Sequence, residues 1–230
     1  MNKNQYVEQE ILNYTKFWGS FGLLAGALVF VSLSGLDYFV APENFYKFIL
    51  YRVICAFLMV IMFFFNRRIA STLSLNVLYF IAAITTAITV EIMILSTGGH
   101  QSTYYAGIVL VIIFMLGFIP LSLRMSMLVV PVVYSIYILP ILILDNITNV
   151  PVFINNNAFL LTTTMLAVAW RFLHQQSLIS KLELEYDLAE GKNKLEEYSG
   201  NLEDLVVKRT MELSASEQRH RELFENANDG

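Results

Sequence analysis

Charge, cysteine and histidine are all scarce in this 230-residue chain: 15% of its residues are charged, one is cysteine and three are histidine, against 56% that are hydrophobic. A soluble domain carries about 25% charged and about 45 to 50% apolar residues, so a soluble globular enzyme is excluded. A single cysteine excludes an intrachain disulfide, and Cys55, inside the apolar run ICAFLMV, is expected as a small buried hydrophobe. No cluster of Cys, His, Asp and Glu has metal-ligand spacing, and HExxH, GxSxG, Walker and GxGxxG motifs are all missing. Neither a metal, a cofactor nor a catalytic residue is therefore expected. The lack of a basic patch argues against nucleic acid as a partner.

What charge there is lies unevenly. Residues 1–174 hold 14 charged side chains and the last 56 residues hold 20, of which 13 are acidic; that tail produces the net charge of -4. An apolar part suited to lipid is thus joined near position 174 to a part that needs water. A helix crosses hydrocarbon with about 20 predominantly apolar residues. Six segments qualify, at 17–34, 45–65, 73–95, 107–123, 127–144 and 152–173. The polar N-terminus lacks the basic start and small-residue cleavage site of a signal peptide, so the first span is expected to stay as an anchor. Lys3, Lys16, Arg67, Arg68, Arg124, Arg171 and Lys181 share one side of this topology, while the opposite loops keep only Lys47, beside Asp37 and Glu43. Basic residues favour the cytoplasmic face, which puts both termini inside. Trp18 and Trp170 then fall at inner span ends, where indoles favour the headgroup level. His100 lies outside, His174 at the inner boundary and His220 in the tail, so no two share a haem.

Polar groups at membrane depth are costly and usually face a partner or a cavity. Arg52 on the second span and Glu91 on the third both lie roughly 8 to 9 Å below the outer end at 1.5 Å per residue, so an Arg52–Glu91 ion pair is expected. The alternative has Arg52 snorkelling to the headgroups and Glu91 wetted from the outer loop. That loop, TGGHQSTYYAG, combines two glycines suited to positive φ with His100, Ser102, Tyr104 and Tyr105 at the mouth of the bundle. It reads either as the polar end of a ligand pocket or as a structural turn with an aromatic belt. Gly19, Gly22 and Gly26 give the first span a small face, for packing within the chain or for a dimer seam. Pro120, Pro131 and Pro140 each delete a backbone donor, which favours kinks and cavities in the fourth and fifth spans.

In the tail, apolar positions recur in steps of four and three: Leu184, Gly191, Tyr198 and Leu205 at d, and Leu188, Leu195 and Leu202 at a. A helix this polar gains little from standing alone, so a parallel homodimer is expected. The seam then changes phase, because Leu202, Val206, Arg209 and Leu213 fit a frame shifted by one residue. Two competing registers would suit a signal relay running from Trp170 and His174 down the rod; a passive linker is the plainer reading.

From Leu202 onward, LEDLVVKRTMELSASEQRHRELFENANDG resembles the helix that leads into a PAS domain in bacterial membrane histidine kinases, of the form LE.LV..RT.EL followed by R...LFENA.DG. Arg209 and Thr210 match the RT pair; Leu223, Phe224, Glu225, Asn226, Ala227, Asp229 and Gly230 match the first PAS turn. The resemblance implies the N-terminal piece of a longer protein. The six spans, with FYKFILYRVICA and the GG.QSTYYAG loop, are more weakly similar to the receptor region of quorum-sensing kinases for hydroxyketone autoinducers and to membrane anchors of class III adenylate cyclases.

The expected fold is an all-α membrane protein: a six-helix transmembrane sensor bundle (1–174), a parallel dimeric coiled-coil signalling helix (175–222) and the start of a PAS domain (223–230). The expected function is reception of a small amphiphilic ligand or of a membrane state in the bacterial inner membrane. Candidate contacts are Arg52, Glu91, His100, Ser102, Tyr104 and Tyr105. The output would be a PAS-linked histidine kinase, with a response regulator downstream. A transporter or channel, or a passive dimerising anchor of a kinase or nucleotide cyclase, are the competing classes.

Overall fold

The computed structural model describes residues 2–228, with side chains described through residue 219. His220 and the side chains matched to a PAS turn lie outside that range. The described residues form helices and two short 3-10 turns, with no strand among them. In chain order the helices are α1 (Lys3–Ser32), α2 (Ser34–Val40), α3 (Phe45–Arg68), α4 (Thr72–Ser96), α5 (Tyr105–Gly117), α6 (Leu123–Leu144) and α7 (Val150–Asn228). By contact the chain divides into Met1–Ser180 and Lys181–Gly230.

Among the described residues, five helical stretches are long and apolar enough to cross a membrane, and α5 is a shorter apolar helix. The fourth expected span is the one that differs. With 13 residues, α5 is about 20 Å long at 1.5 Å per residue, short of an about 30 Å hydrocarbon layer. Pro120 explains the stop, since it disfavours helix at the residue before it and offers no N–H. Around it the backbone makes a tight turn, with the Leu121 N–H donating to Ile119 O at 2.8 Å. Pro131 and Pro140, by contrast, lie inside an unbroken α6.

Within Met1–Ser180, α4 packs against α1, α3, α5 and α6. Ala82, Ala83 and Ala87 on α4 are fully buried and let neighbours come close. The glycine face of α1 packs inside the chain: Gly19 lies against the Tyr79 ring, Gly22 against Ile119 and Gly26 against Phe114 and Met59. Cys55 is buried, beside Thr86 on α4. α1 begins with a capping box, in which Asn2 accepts from the Asn4 N–H and Gln5 accepts from the Asn2 N–H.

Non-helical backbone is tolerated at membrane depth only when protein covers it. Ile119 and Leu121 are fully buried, and two side chains clamp the segment. Asn76 on α4 accepts from the Ser122 N–H at 3.2 Å. Arg171 on α7, 3% exposed, donates through Nε and Nη2 to the Leu121 carbonyl. A residue expected as a cytoplasmic flank of the last span is therefore buried as a backbone clamp.

Lys181–Gly230 is the remainder of α7. Its a and d side chains Leu184, Leu188, Leu195, Tyr198, Leu202 and Leu205 are all exposed in the single chain, as are Val206 and Leu213. Arg209 donates to Glu212 at 2.9 Å, and Lys194 to Glu190 at 2.6 Å.

Candidate functional site

The expected Arg52–Glu91 pair does not form. Arg52 donates through Nε and Nη2 to the two carboxylate oxygens of Asp37, at 2.7 and 2.9 Å, and through Nη1 to Phe30 O at 3.2 Å. Both charges are withdrawn from solvent, Asp37 at 0% and Arg52 at 5% exposure. The reason lies in α2. After Leu33 the chain continues as a second short helix rather than as an outer loop, and this carries Asp37 back onto α3. Helical geometry completes the explanation on α4. Thr86, Val90 and Met93 share a cavity with Arg52, whereas Ile88, Glu91, Ile92 and Leu95 line a groove against α6. Adjacent positions differ by about 100° around a helix, so equal depth did not imply a shared face.

Tyr104 joins the pair: its hydroxyl donates to Asp37 at 3.0 Å, and its ring meets Phe48 edge-on. The Arg52 guanidinium also lies over the Phe30 ring, 4.9 Å from its centre. Arg52, Tyr104 and Thr86 border a mostly apolar cavity of about 210 Å³ between α1, α3, α4 and α5. Its walls include Gly26, Met59, Phe114 and Phe118. The arrangement offers one end with fixed charge and hydrogen-bonding groups and a long apolar body, which is the shape of an amphiphile site.

His100 and Ser102 belong to a different network. Gly98 and Gly99 adopt φ of 102° and 54°, as the two-glycine turn requires. Gly99 also leaves room for the Asp145 carboxylate, which a Cβ there would strike. Asp145 accepts from the His100 N–H and meets Nδ1, both at 2.7 Å. The Asn149 N–H donates to Nε2 at 3.1 Å, so that nitrogen carries a lone pair, and the proton of a neutral ring is on Nδ1, pointing at Asp145. Asn156 on α7 donates to His100 O at 3.2 Å. The two hydrogen bonds from His100 hold the Asp145 carboxyl below the usual carboxylate range. Ser102 pairs with Thr97 at 2.6 Å and accepts from the Tyr104 N–H at 3.2 Å. The loop is thus a latch between α4 and the α6–α7 connection, buried at Gly99, His100 and Ser102.

Glu91 and Tyr105 fall elsewhere. Glu91 is 4% exposed, and neither carboxyl oxygen has a hydrogen-bond partner. Tyr105 is half-buried and meets Phe159 edge-on. At the far end of the bundle, the Tyr79 hydroxyl lies 2.6 Å from Asn66 Oδ1, while Asn66 Nδ2 donates to Lys16 O at 3.0 Å. His174 stands 3.5 Å from the Tyr14 hydroxyl and stacks on Trp170. Asp37, Asp145, Asn156 and Arg171 were not anticipated as site residues. Asp37 had a visible signal, an acid set in the apolar run LSGLDYFV. The others needed the packing.

A helical, multi-pass membrane protein with a buried ion pair beside a cavity is consistent with a membrane sensor domain. The chain belongs to the MASE8 family, a membrane-associated sensor family whose model matches residues 35–189, about two thirds of its length. That match spans Asp37, Arg52, Glu91, Tyr104 and Arg171. Neither a curated protein nor a solved structure matches the chain.

Proposed function

We propose that this protein is the receptor and relay part of a bacterial inner-membrane sensor kinase, with both termini in the cytoplasm. A small amphiphile occupies the cavity beside Arg52 and Tyr104, and a parallel homodimer of the rod carries the change to a PAS domain and a histidine kinase. The observation that carries the reading is the Asp37–Arg52–Tyr104 cluster, a hydrogen-bonded charged group buried at one edge of an apolar cavity. Charges within membrane-spanning segments are costly and usually mark function, which favours a functional role over bare anchoring.

A physical route for the relay is available. Phe114 and Phe118 wall the cavity, the chain then turns through Ile119 and Leu121, and Leu121 O accepts from Arg171 on α7. A ligand shifts an equilibrium only through different affinities for its two states, and a tenfold difference is about 1.4 kcal/mol. The exposed a and d stripe from Leu184 to Leu205 supports the dimer, since a helix that polar on its other faces needs a partner for its leucines.

The test uses the full-length protein in membranes. Replacing residues 1–174 by an unrelated dimerising membrane anchor is expected to leave kinase output constant and unregulated. Output that stays fully regulated after the exchange would overturn the receptor role.

A further inference from the structure

We propose that His100 is a proton-operated release for the start of α7: a proton taken up from solvent on Nε2 detaches Asn149 and frees the connection between α6 and α7. The ring is buried and both its nitrogens are committed. Nδ1 faces Asp145 Oδ2 at 2.7 Å, and Nε2 accepts from the Asn149 N–H at 3.1 Å. A neutral imidazole satisfies the two contacts at once, as donor on one side and acceptor on the other. An imidazolium is a donor at both nitrogens, so its new N–H would meet the Asn149 N–H head-on. The Asp145 contact survives proton uptake and becomes charge-assisted; the Asn149 contact is lost.

The chain around the ring decides which part gives way. The His100 carbonyl accepts from Asn156 on α7 at 3.2 Å and its N–H donates to Asp145 at 2.7 Å, so the residue is held at its backbone as well as at its ring. Residues 146–149 have no regular structure, and Asn146, Thr148 and Val150 are exposed. Asn149 therefore has room to withdraw while His100 stays in place. Withdrawal reaches α7 because Asn149 caps it: Oδ1 accepts from the Val152 N–H at 3.3 Å, and the Asn149 carbonyl accepts from the Phe153 N–H at 3.1 Å. The bond from Gln101 to the Thr148 hydroxyl, at 3.0 Å, involves no titratable group and keeps the connection tethered. Imidazole is the side chain that ordinarily changes charge between about pH 5 and 8. Among the described residues, Asp145 is the titratable group hydrogen-bonded to His100; the Asn149 and Asn156 donors do not titrate. Its carboxyl, held below the usual carboxylate range by the His100 hydrogen bonds, stays ionised across that window. Use of the release as a signal rests on the sensor reading above; the release itself does not.

The test uses the full chain in phosphatidylcholine nanodiscs at about pH 7.5 and about pH 5, on either side of the imidazole range. Hydrogen exchange, corrected for the intrinsic effect of pH, is expected to show protection at 149–153 lower by about fivefold or more in acid, with α3 unchanged. In wild type carrying isotope-labelled histidine, nitrogen NMR is expected to show the His100 Nε2 resonance moving from the lone-pair to the protonated region over the same interval. His100→Gln offers a donor and an acceptor but takes up no proton, and is expected to make protection at 149–153 independent of pH. Protection there that is equal or greater in acid, a wild-type ring still unprotonated on Nε2 at about pH 5, or the same pH response in His100→Gln overturns the release. A release in nanodiscs combined with full-length output that ignores pH would keep the release and refute only its use as a signal.

Discussion

Asp37 shows how one side chain changes the meaning of another. Arg52 is buried, and its guanidinium finds a counter-charge because α2 returns a carboxylate to it, beside the Phe30 carbonyl that it also reaches. Removing one partner from a buried pair leaves the other charge uncompensated, at roughly 3 to 5 kcal/mol, whereas replacing both with apolar residues of similar size is often neutral. Asp37→Ala is therefore expected to lower the melting temperature sharply in nanodiscs, and Asp37→Leu combined with Arg52→Met to recover most of the loss. A double variant no better than the single one would show that the pair is not an energetic unit. At Asp145 the sign of the pH dependence follows from its lowered pKa. The ionised form is favoured by folding, so its contribution is complete above the ordinary Asp value of about 3.9 and is lost as pH falls through the lower folded value. Asp145→Asn is expected to be less stable than wild type at neutral pH and to lose less on acidification below about pH 4, as read by melting temperature against pH.

Among the elements, the interrupted fourth segment matters most. α5 stops at Gly117 because of Pro120, and the freed backbone is covered and clamped by Asn76 and Arg171. Arg171→Met keeps the apolar stem and removes the donors, which leaves the Leu121 carbonyl unpaired at about 1 to 3 kcal/mol. The expected signature is a lower melting temperature and faster hydrogen exchange at 118–122, with α3 unaffected. Uniform exchange across the bundle would deny the clamp its local role. Hydropathy located this segment but could not show its length as a helix. Apolar composition is the same in a straight span and in a covered turn, and only the proline marked the difference.

For the whole molecule, the issue is whether a change in the bundle reaches the far end of α7. A rotation-sensitive relay predicts different outcomes for insertions after Ser180. Seven residues keep the heptad face, while four turn it by about 40° at about 100° per residue. If the protein is the sensor proposed above, output of the full-length protein is expected to survive the first insertion and to change strongly with the second. Equal effects from both would leave the rod as a passive link. The phase change from Leu202 to Leu213 bears on the same point, because in the proposed coiled coil a stutter there would locally change the supercoil.

Composition by itself determined the class: apolar runs this long have no stable place but lipid or a core. It also picked out Arg52, Glu91 and Tyr104, because a polar group inside an apolar run needs a reason to be there. The pairing was decided only by the tertiary structure. Arg52 and Glu91 agree in depth, which sequence distance along antiparallel helices reveals, but they differ in azimuth, which depends on how each helix is rotated against its neighbours. Asp37 and Arg171 changed from flanking residues to buried partners for the same reason. Their roles depend on where α2 folds back and where α5 ends, and both are set by packing among segments far apart in the chain.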